Sequence, residues 1–273
     1  MGDGISTSKS NVLRLGIVHG GPTPLPYMEG ALGCDNECIE NERLCFLGDP
    51  RFVLKDIFIR DIAEDNQVLD NLDVLVMPGG NDERDDLYGP GQYATLGDAG
   101  LKAIQNAIGD CGMVYVGICA GAFLAANKKG KAVVLAPSVS LHDEKNFGCA
   151  SVRGWVALDV PPTRYRKILA SCWKRSVYYD DGPALVVDVD NGDTEVLATY
   201  KGKVKFEDSE DRERVEESYW PLARELIGKA AITLTRYGKG KILLIGPHTE
   251  CCGKPTRKGL TNLIAMIAYD EPS

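Results

Sequence analysis

The sequence predicts an α/β layered fold with a mainly parallel sheet, and three observations carry that expectation. Apolar runs of strand length alternate with helix-like segments along the first half of the chain. Two of those runs, residues 73–77 (DVLVM) and 113–116 (MVYV), are nearly continuous in apolar residues, as strands buried on both faces are. Glycine-rich punctuation follows the strands, at His19-Gly20-Gly21-Pro22, at Pro78-Gly79-Gly80 and at Gly117-Ile118-Cys119-Ala120-Gly121.

In chain order, residues 13–18 (LRLGIV) read as the first strand. Residues 22–50 mix Gly, Pro, Cys and Asn, with a helix expected around 37–46. Residues 55–59 form a second expected strand and 73–77 a third. Leu101, Ile104, Ala107 and Ile108 fall at helical spacing and predict a helix over 96–108. Residues 113–116 are the next strand, and 122–127 a short helix of small residues. Further strands are expected at 132–135, 156–160, 184–189, 195–200, 230–236 and 241–245, with a closing helix at 260–268. Turn pairs at Asn191-Gly192 and Gly238-Lys239-Gly240 point to antiparallel strands added to the parallel core. The charge-dense stretch 206–228 is compatible with a helix. A polar tail (1–10) followed by a single domain (11–273) is the expected organisation.

Composition narrows the functional classes. Apolar residues reach 44%, enough to bury a sizeable core without covalent staples. The formal charge is −8, from 31 Lys+Arg against 39 Asp+Glu, and no basic block is present. Nothing there would neutralise a run of phosphates or attract an anionic bilayer, so neither nucleic acid nor a membrane is an expected partner. No stretch of about 18 apolar residues is available to span a bilayer. The polar N-terminal segment lacks the apolar region of a secretory signal. Nine cysteines, an odd number without such a signal, fit free thiols in a reducing, cytoplasmic compartment. Cys34, Cys38 and Cys45, with no histidine nearby in sequence, make a poor zinc pattern, and neither a metal nor a cofactor is expected.

Three segments carry chemistry together. In Val114-Tyr115-Val116-Gly117-Ile118-Cys119-Ala120-Gly121 a strand delivers a cysteine into a glycine-flanked turn that opens a helix, the arrangement of a nucleophile elbow with sulfur in place of oxygen. A side chain at either glycine would crowd the adjoining strand and helix. His248-Thr249-Glu250 follows the strand at 241–245, and Pro78-Gly79-Gly80 follows the strand at 73–77. In a parallel sheet these strand ends share one crevice. His248 is then placed to take the thiol proton, Glu250 to orient its imidazole, and the amides of Gly80 and Ala120 to form an oxyanion hole. Each segment alone has a plainer reading: a tight turn around a buried thiol, or a surface His–Glu pair. Asn81, Asp82, Arg84 and Tyr88 either line the pocket with Gly79 or belong to a solvated loop. Tyr178-Tyr179-Asp180-Asp181-Gly182-Pro183 is either a pocket wall or packing.

The order PGG, GICAG, H-x-E resembles the class I glutamine amidotransferase-like superfamily, and is most similar to the biotin–protein ligase N-terminal-like domain within it. LDVLVMPGG with Tyr88 downstream, VYVGICAGAFLAA, YYDDGP, EVLATY and YGKGKILLIGPHTE carry the resemblance, which spans roughly residues 13–252. It implies a flavodoxin-like three-layer sandwich, with Cys119 as nucleophile, His248 as base and Glu250 as orienting acid. The sequence departs from that pattern at Phe123, where glutamine-hydrolysing members carry a Gln that helps hold the substrate glutamine, and at Thr249, where proline is common. Neither a synthetase domain nor the glycine/arginine-rich biotin loop of a ligase is found, so biotinylation by this chain alone is not expected.

Three functional readings follow. The first is a thiol-dependent hydrolase or amidotransferase-like enzyme acting on a small amide or related carbonyl compound. The second is a non-catalytic binding or regulatory module that keeps the same geometry. The third is a redox-sensing thiol protein built on Cys119.

Overall fold

The computed structural model describes residues 12–20, 34–80, 91–128, 131–142, 153–173, 176–188, 190, 192–202, 204–206 and 226–270; for Asn66, Arg153, Cys172 and Phe206 it describes the backbone alone. The elements are β1 (Leu13–His19), α1 (Asn36–Phe46), β2 (Phe52–Phe58), α2 (Ile59–Glu64), a 3-10 turn (Asn66–Leu69), β3 (Val74–Met77), α3 (Gln92–Cys111), β4 (Val114–Ile118), α4 (Ala120–Ala125) and β5 (Ala126–Asn127). They continue as β6 (Ala136–Leu141), β7 (Arg153–Val156), β8 (Leu158–Asp159), α5 (Arg166–Cys172), β9 (Val177–Asp180), β10 (Leu185–Val187), β11 (Thr194–Tyr200), β12 (Lys205–Phe206), β13 (Ala230–Tyr237), β14 (Gly240–Ile245) and α6 (Lys254–Tyr269).

The main sheet has the order β2-β1-β3-β4-β14-β13-β10-β6-β5, with β11 paired to β13 and β8. Its first five strands are parallel, in the spatial order 2-1-3-4-5 of the flavodoxin-like fold. β13, β10 and β11 extend it in antiparallel fashion, as the turn at Gly238-Lys239 predicts for the β13–β14 hairpin. α1 and α5 pack on α6, and α2 and α4 on α3, and the sheet lies between the two groups. That explains why every residue of β3, β4 and β14 is buried, where a sheet open on one side would show alternation. A second sheet, β12-β7-β9, is separate.

The register places the site. Met77 pairs with Gly117, and Ile118 with Ile245, so β3, β4 and β14 end level with one another. The loops that follow them leave from one edge. Two glycines make the close fit at that edge. A Cβ on Gly117 would collide with the Gly121 carbonyl, and one on Gly121 with the Met77 carbonyl. Gly121 N–H donates to Pro78 O at 3.2 Å, stitching the start of α4 to the end of β3.

Several boundaries differ from the sequence expectation. The strand expected at 132–135 lies at Ala136–Leu141. The reason is partnership: β10 offers hydrogen bonds to Val139, Ser140 and Leu141, and β propensity without a partner makes no strand. The helix expected at 122–127 begins two residues earlier and stops at Ala125, because Ala126 and Asn127 pair with β6. The strand expected at 156–160 divides at Ala157 between the two sheets. β2 starts at Phe52, and α2 and α5 are additions the periodicity does not announce, each being two turns or fewer. Most of the charged stretch, residues 207–225, lies outside the described residues, as does the expected tail at 1–10.

The strand that leads to His248 is anchored at its other end. Lys241, in β14, is buried and its Nζ donates to the carbonyls of Ile267 (2.9 Å) and Asp270 (2.5 Å) and to Asp270 Oδ2 (3.3 Å). These carbonyls close the C-terminal end of α6, where a cation also meets the negative end of the helix dipole. Arg164 pairs with Asp270 at 2.6 Å. Burial pushes the Lys241 ammonium down despite Asp270. Burial opposes the Asp270 carboxylate too, but Lys241 and Arg164 outweigh it and hold that carboxyl below its ordinary range.

Gly121→Ala should lower the denaturant midpoint at unchanged m-value, by about 1–3 kcal/mol, because the new methyl has only backbone to displace. The depressed Asp270 carboxyl contributes stability above its unfolded pKa that is lost as pH falls through the folded value. Acid titration of stability should therefore be shallower in Asp270→Asn, by no more than about 1 kcal/mol for so accessible a group.

Candidate functional site

β4 runs directly into Cys119, which adopts φ 49° and ψ −107°. A non-glycine residue in that region is strained, and the backbone around it holds it there. Cys119 N–H donates to Ile245 O at 2.9 Å, and its carbonyl accepts from Ala122 and Phe123 (2.9 and 3.0 Å). The elbow is thus tied to β14 on one side and to α4 on the other. The side chain is 7% exposed. Its S–H faces the Asp180 carbonyl at 3.5 Å.

β14 continues through Gly246-Pro247 to His248, whose N–H donates to Tyr178 O at 2.9 Å in an isolated antiparallel bridge. The imidazole is buried, and its Nδ1–H donates to Glu250 Oε1 at 2.6 Å. Glu250 is fully buried, and its Oε2 has no hydrogen-bond partner among the described residues. Burial opposes the charged imidazolium, but Cys119, through charge and hydrogen bonding, together with Glu250 and Cys251, holds its pKa well above the ordinary histidine value. The thiol is turned to the Asp180 carbonyl.

Gly79 explains the need for PGG. It is buried, and a Cβ there would stand 2.6 Å from His248 Cε1 and 2.9 Å from Cys38 Sγ. Its carbonyl accepts from Asp35 N–H at 3.1 Å. Gly80 is exposed at φ 138°, a conformation that favours glycine. Neither the Gly80 nor the Ala120 amide has a backbone acceptor among the described residues. Phe123 is half-buried against the core, one helical turn from Cys119. Asn81, Asp82, Arg84 and Tyr88 lie outside the described residues.

The YYDDGP segment forms a wall beside the site. Tyr178 N–H donates to Cys252 Sγ at 3.2 Å, and Cys252 S–H to His248 O at 3.4 Å. Tyr179 Oη donates to Gly182 O at 2.8 Å and Tyr200 Oη to Pro183 O at 2.9 Å. A Cβ on Gly182 would meet the Gly246 carbonyl, so the wall packs directly on the segment that precedes His248.

Two residues join the site without a sequence signal. Cys38 Sγ lies 3.7 Å from His248 Nδ1, across 210 residues of chain. Asp35 fixes it: its Oδ1 caps α1 by accepting the Cys38 N–H at 2.9 Å. One turn later on the same face, Glu42 is fully buried, with no partner for either carboxyl oxygen among the described residues. Burial, followed by the charge of Glu250, pushes its pKa well above the ordinary carboxyl value. Nothing in local spacing points from residue 38 to residue 248.

Among the described residues no helix is long and apolar enough to cross a membrane. No curated protein sequence matches the chain. Residues 145–268 match the family model for the biotin–protein ligase N-terminal region, a span that contains His248 and Glu250 but not Cys119. A Thermoplasma acidophilum protein described as a GMP synthase subunit has a similar structure, with TM-score 0.52, 16% identity and 94% of each chain covered. A cytoplasmic protein of Salmonella typhimurium aligns with TM-score 0.53 and 14% identity, over 93% of this chain and 99% of its own. A Bacillus circulans β-galactosidase aligns with TM-score 0.50 and 8% identity, over 93% of this chain but only 31% of the larger protein. At these identities the shared property is the fold. Residues 145–268, less than half of the chain, match the biotin–protein ligase N-terminal family, and the layered α/β fold is shared with these solved structures.

Proposed function

We propose that this protein is a thiol-dependent hydrolase or amidotransferase-like enzyme in which Cys119, His248 and Glu250 act on a small amide or related carbonyl compound. The observation that carries the reading is the buried 2.6 Å contact between His248 and Glu250, level with a strained cysteine at the end of the neighbouring strand. A surface His–Glu pair would be neither buried nor aimed. A turn around an inert thiol has no need of a positive φ at the cysteine itself.

In this mechanism a substrate carbonyl displaces the Asp180 contact at Cys119 Sγ. The sulfur adds to the carbonyl carbon as His248 takes its proton, while Glu250 holds Nδ1–H and stabilises the imidazolium. The amides of Gly80 and Ala120 donate to the developing oxyanion. His248 returns the proton to the leaving amine, giving a thioester. Water, deprotonated by the same imidazole, then adds to the thioester, and collapse releases the acid and restores the thiol. Gly79 positions the imidazole by leaving its face uncovered, and Phe123 presents an apolar surface where glutamine-specific relatives carry an amide. That favours a substrate other than glutamine. The seven described cysteines are all free, which supports a reducing compartment such as the cytoplasm.

Iodoacetamide at limiting ratio should label Cys119 ahead of the exposed Cys111, and Cys119→Ala should lose that label. With a panel of small amides and esters, a thioester trapped on the wild type and absent from Cys119→Ala supports the enzyme. Selective labelling without any adduct or turnover moves the reading to a binding module or a thiol sensor. On a substrate so found, Glu250→Gln should reduce kcat by about 10²–10⁴-fold, the range of a general base that has lost its support. Gly79→Ala should cost about 10²-fold by shifting the imidazole.

A further inference from the structure

We propose that Cys38, His248 and Glu250, completed by Cys251, form a binding site for a thiophilic divalent cation, with zinc the ion whose chemistry they fit. One donor atom from each of Cys38, His248 and Glu250 lies within 4.8 Å of the other two, and all three residues are buried. Cys251 Sγ lies 3.7 Å from Glu250 Oε1. Two thiols, an imidazole and a carboxylate are donors that zinc accepts in four-coordinate sites.

Two of the separations suit a tetrahedron. Zn–S bonds of about 2.3 Å and Zn–N or Zn–O bonds of about 2.0–2.2 Å give donor–donor edges of about 3.3–3.8 Å. The Cys38–His248 and Cys251–Glu250 separations, both 3.7 Å, already have that length. The His248–Glu250 contact, at 2.6 Å, is shorter because a proton lies between the two atoms. Replacing that proton with the ion requires the two atoms to move apart by less than about 1 Å.

A second observation is that Glu250 Oε2, on a donor residue, is buried without a partner among the described residues. An orphaned carboxylate oxygen in an interior is costly, and a cation bound to its carboxylate removes the cost.

The surroundings hold the donors as an outer shell would. Asp35 caps the turn carrying Cys38. Asn41 Nδ2 donates to Cys251 Sγ at 3.5 Å. Arg257 links the Glu250 carbonyl (2.8 Å) to Asn41 Oδ1 (2.8 Å), joining both halves of the donor set. Gly79 leaves the volume between Cys38 and the imidazole clear. Cys251 is half-buried and marks the side from which an ion would enter.

Binding is a ligand exchange without change of oxidation state. The thiols of Cys38 and Cys251 and the Nδ1–H of the imidazole release their protons to solvent, and the ion gives up its waters. The ion takes the nitrogen that Glu250 otherwise holds. The site does not use Cys119, and because the ion takes Nδ1 and Glu250 the metal-bound form is an alternative to the form that would carry the proposed reaction; binding alone tests it.

The experiment uses the full chain, reduced with a phosphine and freed of metal by a chelator. Titration with cobalt(II) should produce a thiolate-to-cobalt charge-transfer band that saturates at one equivalent and is abolished by zinc. Cys38→Ala and Cys38→Ser should each weaken binding by at least about tenfold. Cys119→Ala and Cys111→Ala should bind as the wild type does. Zinc should raise the melting temperature of the wild type and not of the Cys38 variants, whose far-ultraviolet circular dichroism verifies that they are folded. Absence of the charge-transfer band in the wild type overturns the proposal. So does a wild-type affinity in both folded Cys38 variants.

Discussion

The short contact between His248 and Glu250 is the interaction on which the rest of this site depends. A carboxylate with no exposure is tolerated only when something inside the protein replaces its water. One oxygen has the imidazole at 2.6 Å; the other has no described partner. The pair is therefore held by a single strong bond, and its surroundings serve to keep the ring in plane with it. Gly79 leaves room beside the ring that a Cβ would fill, Cys252 reaches the His248 carbonyl, and the Tyr178 carbonyl takes the His248 amide.

That bond forms only because the sheet delivers its partners to one level. Parallel strands have all their carboxyl ends at one edge, so residues 79, 119 and 248 become neighbours without any local attraction among them. The edge is also tight. Helix α4 must start directly above β3 and β4, and the missing side chains at Gly117 and Gly121 allow it. At the opposite end Lys241 fastens β14 to the last turn of α6, so the strand carrying the imidazole loop is fixed at both extremities.

Much of this was legible in the sequence, and the limits have physical causes. The buried strands β3, β4 and β14 were readable because burial on both faces leaves an unbroken apolar run. The elbow was readable because close backbone approach demands glycine. That the segments after β3, β4 and β14 leave from one edge followed from strand order once the sheet was taken as parallel. Strand β6 was misplaced because its position depends on β10, which local sequence does not show. Cys38 and Glu42 were not recognised because α1 brings them to the site through a capped turn. A cysteine placed by tertiary packing carries no spacing relationship to a histidine 210 residues away.

The tie between the small sheet and the imidazole loop runs from the Tyr178 carbonyl to the His248 amide. Peptide groups are the same whatever side chains they carry. Descendants of this sequence can thus rewrite the lettering of the wall, and with it the shape and polarity offered to a ligand, while inheriting the aim of the imidazole unaltered. Diversification of what is recognised and preservation of what would react are in this way separated within one short stretch of chain.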